Sequence, residues 1–388
     1  MNIFKKLKKV KYKGNAKIVD KIDINKILEG NNNFDEYIIY RKKNLIKVYN
    51  RICDHAGGKI ITKNSKNICP VHNWDFNCAT GFYSNGVKKK ELKFIKDNKN
   101  ILISRIDKKP EINKFSNKNN STSVRFLNHA FLNIFGDNFN FSTDPWAIGP
   151  AFNTGWWLKY KTKNDWVEIL NNSSFIYISH NHPDHLHPLT LSKINKSVPI
   201  VVPKFTNDST GVFMEDLGFQ NIIRLELEHQ YNLKGTELIF SILKSGDFRN
   251  DSGIYFSNGN FTGLIDVDSN MINFGKFPLV DFYASSYAGG ASGYPLMFDN
   301  YTEKEQNQIL IKNKNFEKIK KIKILDKVKP KYFFPYAGFF AVELERDSQV
   351  KKNNQKNSIS DYEHFCKRKK IKLLNVEKKD IYIFKGNK

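Results

Sequence analysis

The sequence predicts a multidomain chain in which a small all-β domain precedes a larger α/β domain. Three observations carry that prediction. Up to residue 110 the apolar residues fall in short β-type runs, Tyr37-Ile38-Ile39-Tyr40, Leu45-Ile46-Lys47-Val48-Tyr49 and Ile101-Leu102-Ile103, separated by turn residues. From 111 to 123 the chain is polar, ending in Asn117-Lys118-Asn119-Asn120-Ser121-Thr122-Ser123, and reads as an interdomain linker. From 124 to 388 strand-like runs such as Phe175-Ile176-Tyr177-Ile178 and Val198-Pro199-Ile200-Val201-Val202 alternate with helical segments, among them a Lys-rich amphipathic stretch from Glu303 to Val328. A chain of 388 residues is long enough to bury two cores, and its 40% apolar and 14% aromatic content argues against wholesale disorder.

The charge is strongly one-sided, with 63 Lys and Arg against 39 Asp and Glu, a net +24. The lysines run from end to end and are mixed with Asn, as in Lys351-Lys352-Asn353-Asn354. A nucleic-acid face would concentrate them on one module, so no nucleic-acid partner is expected, and the charge reads as a solvated cationic surface that attracts anions. No apolar run approaches the roughly 20 residues of a membrane-spanning helix, and the Lys-rich start Met1 to Lys9 lacks the apolar centre of a secretory signal. A cytoplasmic protein without membrane insertion is the expectation.

The first domain carries the clearest chemistry. Four cysteines, at 53, 69, 78 and 366, are too few for a disulfide framework. Two of them sit beside histidines, in Cys53-Asp54-His55 and Cys69-Pro70-Val71-His72, with residues 56 to 68 between the pairs. Two thiolates and two imidazoles on paired loops suit a Rieske [2Fe-2S] cluster, in which one iron takes both Cys and the other both His. Gly57-Gly58 allows a tight turn, Pro70 stiffens the second loop, and Trp74 and Phe76 are placed to shield the cluster. A structural zinc site uses the same ligand types, but the Gly-Gly and Pro positions suit it less well. The segment from about Ala16 to Ser104 resembles the Rieske domains of oxygenases and their ferredoxins. Cys78 reads as a small buried thiol, and Cys366 has no visible partner.

A second constellation follows an apolar strand: Phe175-Ile176-Tyr177-Ile178-Ser179 runs into His180-Asn181-His182-Pro183-Asp184-His185-Leu186-His187. Imidazoles and a carboxylate held at a strand end suit one or two divalent metals. The pattern resembles the metal motif of the metallo-β-lactamase fold, an αββα sandwich. The resemblance implies His180 and His182 on one metal, Asp184 and His185 on the other, and a later bridging carboxylate. Leu264-Ile265-Asp266-Val267-Asp268-Ser269 offers that carboxylate at Asp268 in preference to Asp266. The runs Val124 to Ala130 and Phe141 to Trp146 resemble the opening strands of a lactonase-like branch. Two histidines usual in hydrolytic members are missing around Ser245-Gly246-Asp247-Phe248 and Pro335-Tyr336-Ala337-Gly338. Asp247, Glu343 or Glu345 are the expected replacements, and His229 and His364 are not expected to be ligands. An oxygen-richer set favours iron over zinc.

Both modules in this order resemble the CMP-N-acetylneuraminate hydroxylase family, as do Tyr287-Ala288-Gly289-Gly290-Ala291-Ser292-Gly293-Tyr294-Pro295 and Pro335 to Phe340. The resemblance implies an iron-dependent monooxygenase that uses O2 to convert the N-acetyl group of a nucleotide sugar to N-glycolyl. Asp184 and Asp268 would be the catalytic carboxylates, and the Rieske cluster would relay electrons from an acidic donor such as a ferredoxin or cytochrome b5-like protein with its reductase. Gly289, Gly290 and Ser292 would contact the substrate, through backbone N–H groups open to an anion. A zinc hydrolase with an accessory Rieske domain and a pure electron carrier are the alternatives.

Overall fold

The protein's structure, a computed structural model, describes residues 3–9, 12–13, 16–51, 53, 59–63, 66–69, 74–106, 109–110, 121–246, 249–259, 261–269, 271–272, 280–289 and 293–385. The chain forms two compact units.

The smaller unit, within Tyr12–Pro110, is built of β-strands. One three-stranded meander joins Gly30–Asn33, Tyr37–Lys42 and Leu45–Asn50; another sheet orders Phe94–Lys96, Asn100–Ile106 and Ala16–Asp23. A four-stranded sheet runs through Ile61–Lys63, Lys66–Ile68, Asp75–Asn77 and Phe82–Tyr83. Alternating burial along these strands makes two small cores, one around Val48 and Ile101 and one around Tyr49, Phe76 and Tyr83.

The larger unit stacks four layers. Its eight-stranded sheet runs in the order Phe4–Lys9, His229–Leu233, Leu238–Lys244, Ser252–Asn258, Phe261–Val267, Phe282–Ser286, Tyr332–Tyr336, Lys372–Leu373, antiparallel up to Phe261–Val267 and parallel thereafter. The seven-stranded sheet runs Ile222–Leu225, Ile200–Pro203, Phe175–Tyr177, Asn140–Thr143, Phe131–Phe135, Ser121–Asn128, Ile381–Lys385, the first four parallel. One core fills the space between the sheets, with Phe141 stacked on Phe175 and Phe175 on Phe240. A second core seats the helices Trp166–Asn171, Pro188–Leu191 and Ser209–Asp216 on the outer face of the seven-stranded sheet. The helix Glu303–Val328, opened by a capping box at Thr302, and the helix Glu363–Lys369 contribute Ile324, Leu325, Val328, Phe365 and Cys366 to the core from the side of the other sheet. This is the αββα arrangement the sequence implies.

The unit boundaries differ from the expected ones at the start of the chain, at the expected linker, and at Gly246 and Arg249, which group with the smaller unit. Residues 1–11 belong to the larger unit, because the strand Phe4–Lys9 pairs antiparallel with His229–Leu233 and Phe4 packs edge-on against Phe175 and Phe240. An unpaired sheet edge with an apolar face takes a strand from wherever the chain can supply one. At the other side, Ser121 to Ser123 are the start of a strand paired with both Phe131–Phe135 and Ile381–Lys385, and residues 111–120 of the expected linker lie outside the described residues.

Candidate metal centre

In the smaller unit Cys53 follows the strand Leu45–Asn50 and Cys69 follows Lys66–Ile68. Both thiols are fully buried in one cluster with Ile38, Ile60 and Phe76, and neither forms a disulfide. Trp74 packs against that cluster, and its backbone carbonyl accepts from the Cys69 N–H at 2.9 Å. Two thiols gathered under an aromatic cover fit the sulfur side of a [2Fe-2S] site. His55 and His72 lie outside the described residues. Cys78 is a different case, since burial pushes its thiol up to about 12 and it accepts a hydrogen bond from Asn67 Nδ2. It stays an inert thiol, as expected.

In the larger unit the candidate ligands come from loops at the carboxyl ends of strands in both sheets, where open α/β sheets place their sites. Ser179 to His185 follow Phe175–Tyr177, Asp144 follows Asn140–Thr143, and Asp268 follows Phe261–Val267. The structure gathers two sets of donors: His180, His182 and Asp268, and His129, Asp184 and His185. His180 Nε2 lies 2.8 Å from His182 Nδ1 and 4.0 Å from Asp268 Oδ2. His185 Nε2 lies 3.2 Å from Asp184 Oδ2 and 3.6 Å from Asp268 Oδ2, so Asp268 stands between the sets as a bridging carboxylate should. All five residues expected from the motif and its later carboxylate are therefore within one cluster.

His129 was missed by the sequence reading. It sits in a two-residue turn between Ser121–Asn128 and Phe131–Phe135, and its Nε2 is 3.1 Å from Asp184 Oδ2. A histidine 51 positions before His180 carries no spacing signal; its place between two apolar β-runs was the available hint. The proposed stand-ins are not in the cluster: Glu343 pairs with Lys351 at 2.7 Å at the surface, and Glu345 opens an exposed 3-10 turn. Asp247 lies outside the described residues. His187 is also elsewhere, capping the helix Pro188–Leu191 through Thr190 and bonded to the Pro150 carbonyl. His229 bonds the Leu227 carbonyl and faces Glu226. Gly289 adopts φ +66°, and a Cβ there would meet Glu317; Gly290 and Ser292 lie outside the described residues.

The electrostatics fit a cation. Asp184 Oδ1 and His185 Nε2 are buried without a hydrogen bond. Burial raises the Asp184 carboxyl, but the His185 charge and the His129 hydrogen bond outweigh it and hold it well below the usual range. Burial opposes a charge on His185, yet Asp184 and Asp144 hold its pKa well above normal. The carboxylates around His185 thus favour positive charge at its position, the charge that a metal would also supply. His180, lowered by burial first and by His185 next, stays neutral, the form that ligates. The donors are imidazole and carboxylate with no thiolate, a set that suits first-row divalent metals, iron and zinc among them.

Asp144 orients the set from behind. Its Oδ1 accepts from the Ser179 N–H at 2.7 Å, and its Oδ2 accepts from Ser179 Oγ at 2.7 Å and faces His185 Nδ1 at 3.1 Å. The backbone is strained here: His129, Asp144, Val267 and Ala337 have φ of 36°, 39°, 53° and 53°. Such residues cost about 1–3 kcal/mol each and gather at functional sites. Asp144→Asn keeps the shape but loses the carboxylate that fixes the His185 ring. Metal affinity at the cluster is expected to fall about 10–100-fold. Competitive chelator titration would measure it, and an unchanged affinity would remove Asp144 from this role.

Fold and site together define a class, a chain with a Rieske domain and an αββα unit whose His/Asp cluster could hold a metal. Residues 13–96 match the Rieske [2Fe-2S] domain, which implies a [2Fe-2S] cluster. Over most of its length the chain is similar to cytidine monophosphate-N-acetylneuraminic acid hydroxylase: 29% identical to the Mus musculus protein over 351 residues, covering 83% of this chain and 59% of that one. The Pongo pygmaeus protein is 29% identical over 365 residues, covering 86% of this chain and 60% of the relative. The chain thus spans about three-fifths of the length of these curated relatives. Among solved structures it is similar to CmlA, a diiron β-hydroxylase from Streptomyces venezuelae, at TM-score 0.45 and 15% identity over 70% of this chain and 55% of that one. It is also similar to Igni18, a metallo hydrolase from Ignicoccus hospitalis, at TM-score 0.42 and 11% identity over 68% of this chain and 98% of that one. No helix among the described residues is long and apolar enough to cross a membrane.

Proposed function

We propose that the protein is an iron-dependent monooxygenase that hydroxylates the N-acetyl group of CMP-N-acetylneuraminate or a closely related nucleotide sugar. One observation carries the reading: a Rieske domain and a thiolate-free His/Asp cluster occupy a single chain whose relatives are named as hydroxylases of that substrate. Insertion of one oxygen into a methyl C–H consumes O2, two electrons and two protons and releases water. The iron at the cluster supplies the O2 chemistry when bound, and the [2Fe-2S] site supplies electrons taken from an acidic donor.

The chain's own residues do the rest. His129, His180, His182, Asp184, His185 and Asp268 would hold one or two irons. The His129 ring is flanked by Trp146, Trp156 and Phe340 at 5.2, 6.3 and 6.0 Å, and Phe152 lies 6.2 Å from His182. Phe340 stacks on Trp156 at 3.9 Å, and this wall keeps water from one side of the cluster. A cavity of about 190 Å³ opens beside the wall, lined by Phe152, Trp156, Phe340, Met297 and Arg346, and offers room for part of the substrate.

The test is incubation with CMP-N-acetylneuraminate, O2 and a ferredoxin or cytochrome b5 reductase chain, followed by mass spectrometry. The expected product carries one added oxygen on the acyl group. A hydrolysed nucleotide sugar with no oxygen gained would point to the hydrolase class instead.

A further inference from the structure

Tyr336 is fully buried, and its hydroxyl makes no hydrogen bond. A buried hydroxyl without a partner costs about 1–3 kcal/mol, so its location calls for an explanation. Tyr336 ends the strand Tyr332–Tyr336 and pairs with Ser286; on the next parallel strand Val267 pairs with Ser285, and Asp268 follows it. On the other side the Ala337 N–H donates to the His129 carbonyl at 2.8 Å. The residue after Tyr336 is thus bonded to the backbone of one cluster residue, and one strand separates Tyr336 from the strand that leads into Asp268. Its side chain shares a strand face with Phe334, whose ring meets Phe126 of the opposite sheet at 6.5 Å. The phenol thus points between the sheets, at the end where Asp144 and Asp268 stand.

The carboxylates at that end have other partners. Asp144 takes Ser179 on both oxygens and His185 on one, and Asp268 faces His185 and His180. Burial, with Asp144, Asp266 and Asp268 adding to it, holds the phenol protonated, well above its usual range. It is a buried donor without a partner, on the side of the sheet that faces these carboxylates.

We propose that the Tyr336 O–H donates a hydrogen bond to a small ligand held by the metals of the His/Asp cluster, a water, a hydroxide or a comparable anion. The inference rests on the metal-binding reading above and adds to it a residue that touches what the metals bind.

The experiment compares wild type and Tyr336→Phe, both loaded with iron and oxidised, by titrating azide and following its charge-transfer absorption. The Rieske irons are fully ligated and do not take azide. Loss of a hydrogen bond to a charged ligand should weaken azide about 10–100-fold. Iron content should be unchanged, and the thermal midpoint of the metal-free variant should be equal to wild type or higher, since an unpartnered hydroxyl has been removed. Equal azide affinities would overturn the proposal. So would a metal-free variant that melts earlier or misfolds, because the hydroxyl would then have a structural partner, and so would loss of iron, which would make Tyr336 a ligand. Wild type that holds no iron beyond its cluster would overturn the metal reading first and this inference with it.

Discussion

His185→Ala is expected to empty the metal centre of the larger unit while leaving the [2Fe-2S] domain loaded. The ring is fully buried, its Nδ1 is oriented by Asp144, and its Nε2 faces Asp184 and Asp268 at 3.2 and 3.6 Å. Without it the two carboxylates face each other across a gap with no cation, and each disfavours ionisation of the other. Loss of an orienting partner alone costs 10–100-fold in metal affinity, so loss of the ligand should exceed about 100-fold. Iron and acid-labile sulfide give the measurement. A [2Fe-2S] cluster holds them in equal amounts, so iron in excess of sulfide reports the second centre. The excess should vanish in the variant with sulfide unchanged. A retained excess would exclude His185 as a ligand, and parallel loss of sulfide would deny that the two centres load independently.

Lys321→Met should carry the largest stability loss. Lys321 lies on the helix Glu303–Val328, but it points into the protein: its side chain is 4% exposed, and Nζ is 3.7 Å from Asp266 Oδ2 and bonded to Ser285 Oγ. Asp266 is fully buried and accepts from the Tyr283 hydroxyl at 2.5 Å. Burial drives both groups toward neutrality, lowering the lysine and raising the aspartate, and each opposes that shift in the other. Removing one partner of a buried pair leaves an uncompensated charge, about 3–5 kcal/mol. Urea unfolding should show that loss for Lys321→Met, and much less for Lys321→Met combined with Asp266→Asn, since the double variant leaves no orphan charge. Additive single effects would mean that the two side chains are not coupled.

The same helix shows where sequence reasoning stops. Its span, Glu303 to Val328, was legible as a Lys-rich amphipathic stretch. The burial of one lysine among many was not, because Lys321 is distinguished from its neighbours by Asp266, which lies 55 positions away. The carboxylate choice is similar. Asp266 and Asp268 differ by two positions, and the structure gives the first to Lys321 and Tyr283 and the second to His180 and His185. The structure places Asp268 beside the histidines, and the partner that occupies Asp266 was invisible in the sequence.

By itself the sequence determined the two-domain order, the β character of the first domain, the thiol positions Cys53 and Cys69, and the local run His180 to His185, because each of these depends on short-range spacing and alternation. The tertiary structure decided what distant segments supply. His129 enters from a hairpin turn, Asp144 orients His185 from the strand beside it, and the first strand Phe4–Lys9 joins the second domain. The physical reason is the same in each case. A strand's own residues settle its alternation, but which strands lie side by side is settled by burial of apolar faces across the whole unit. A metal centre assembled at the ends of those strands therefore inherits its membership from the sheet order.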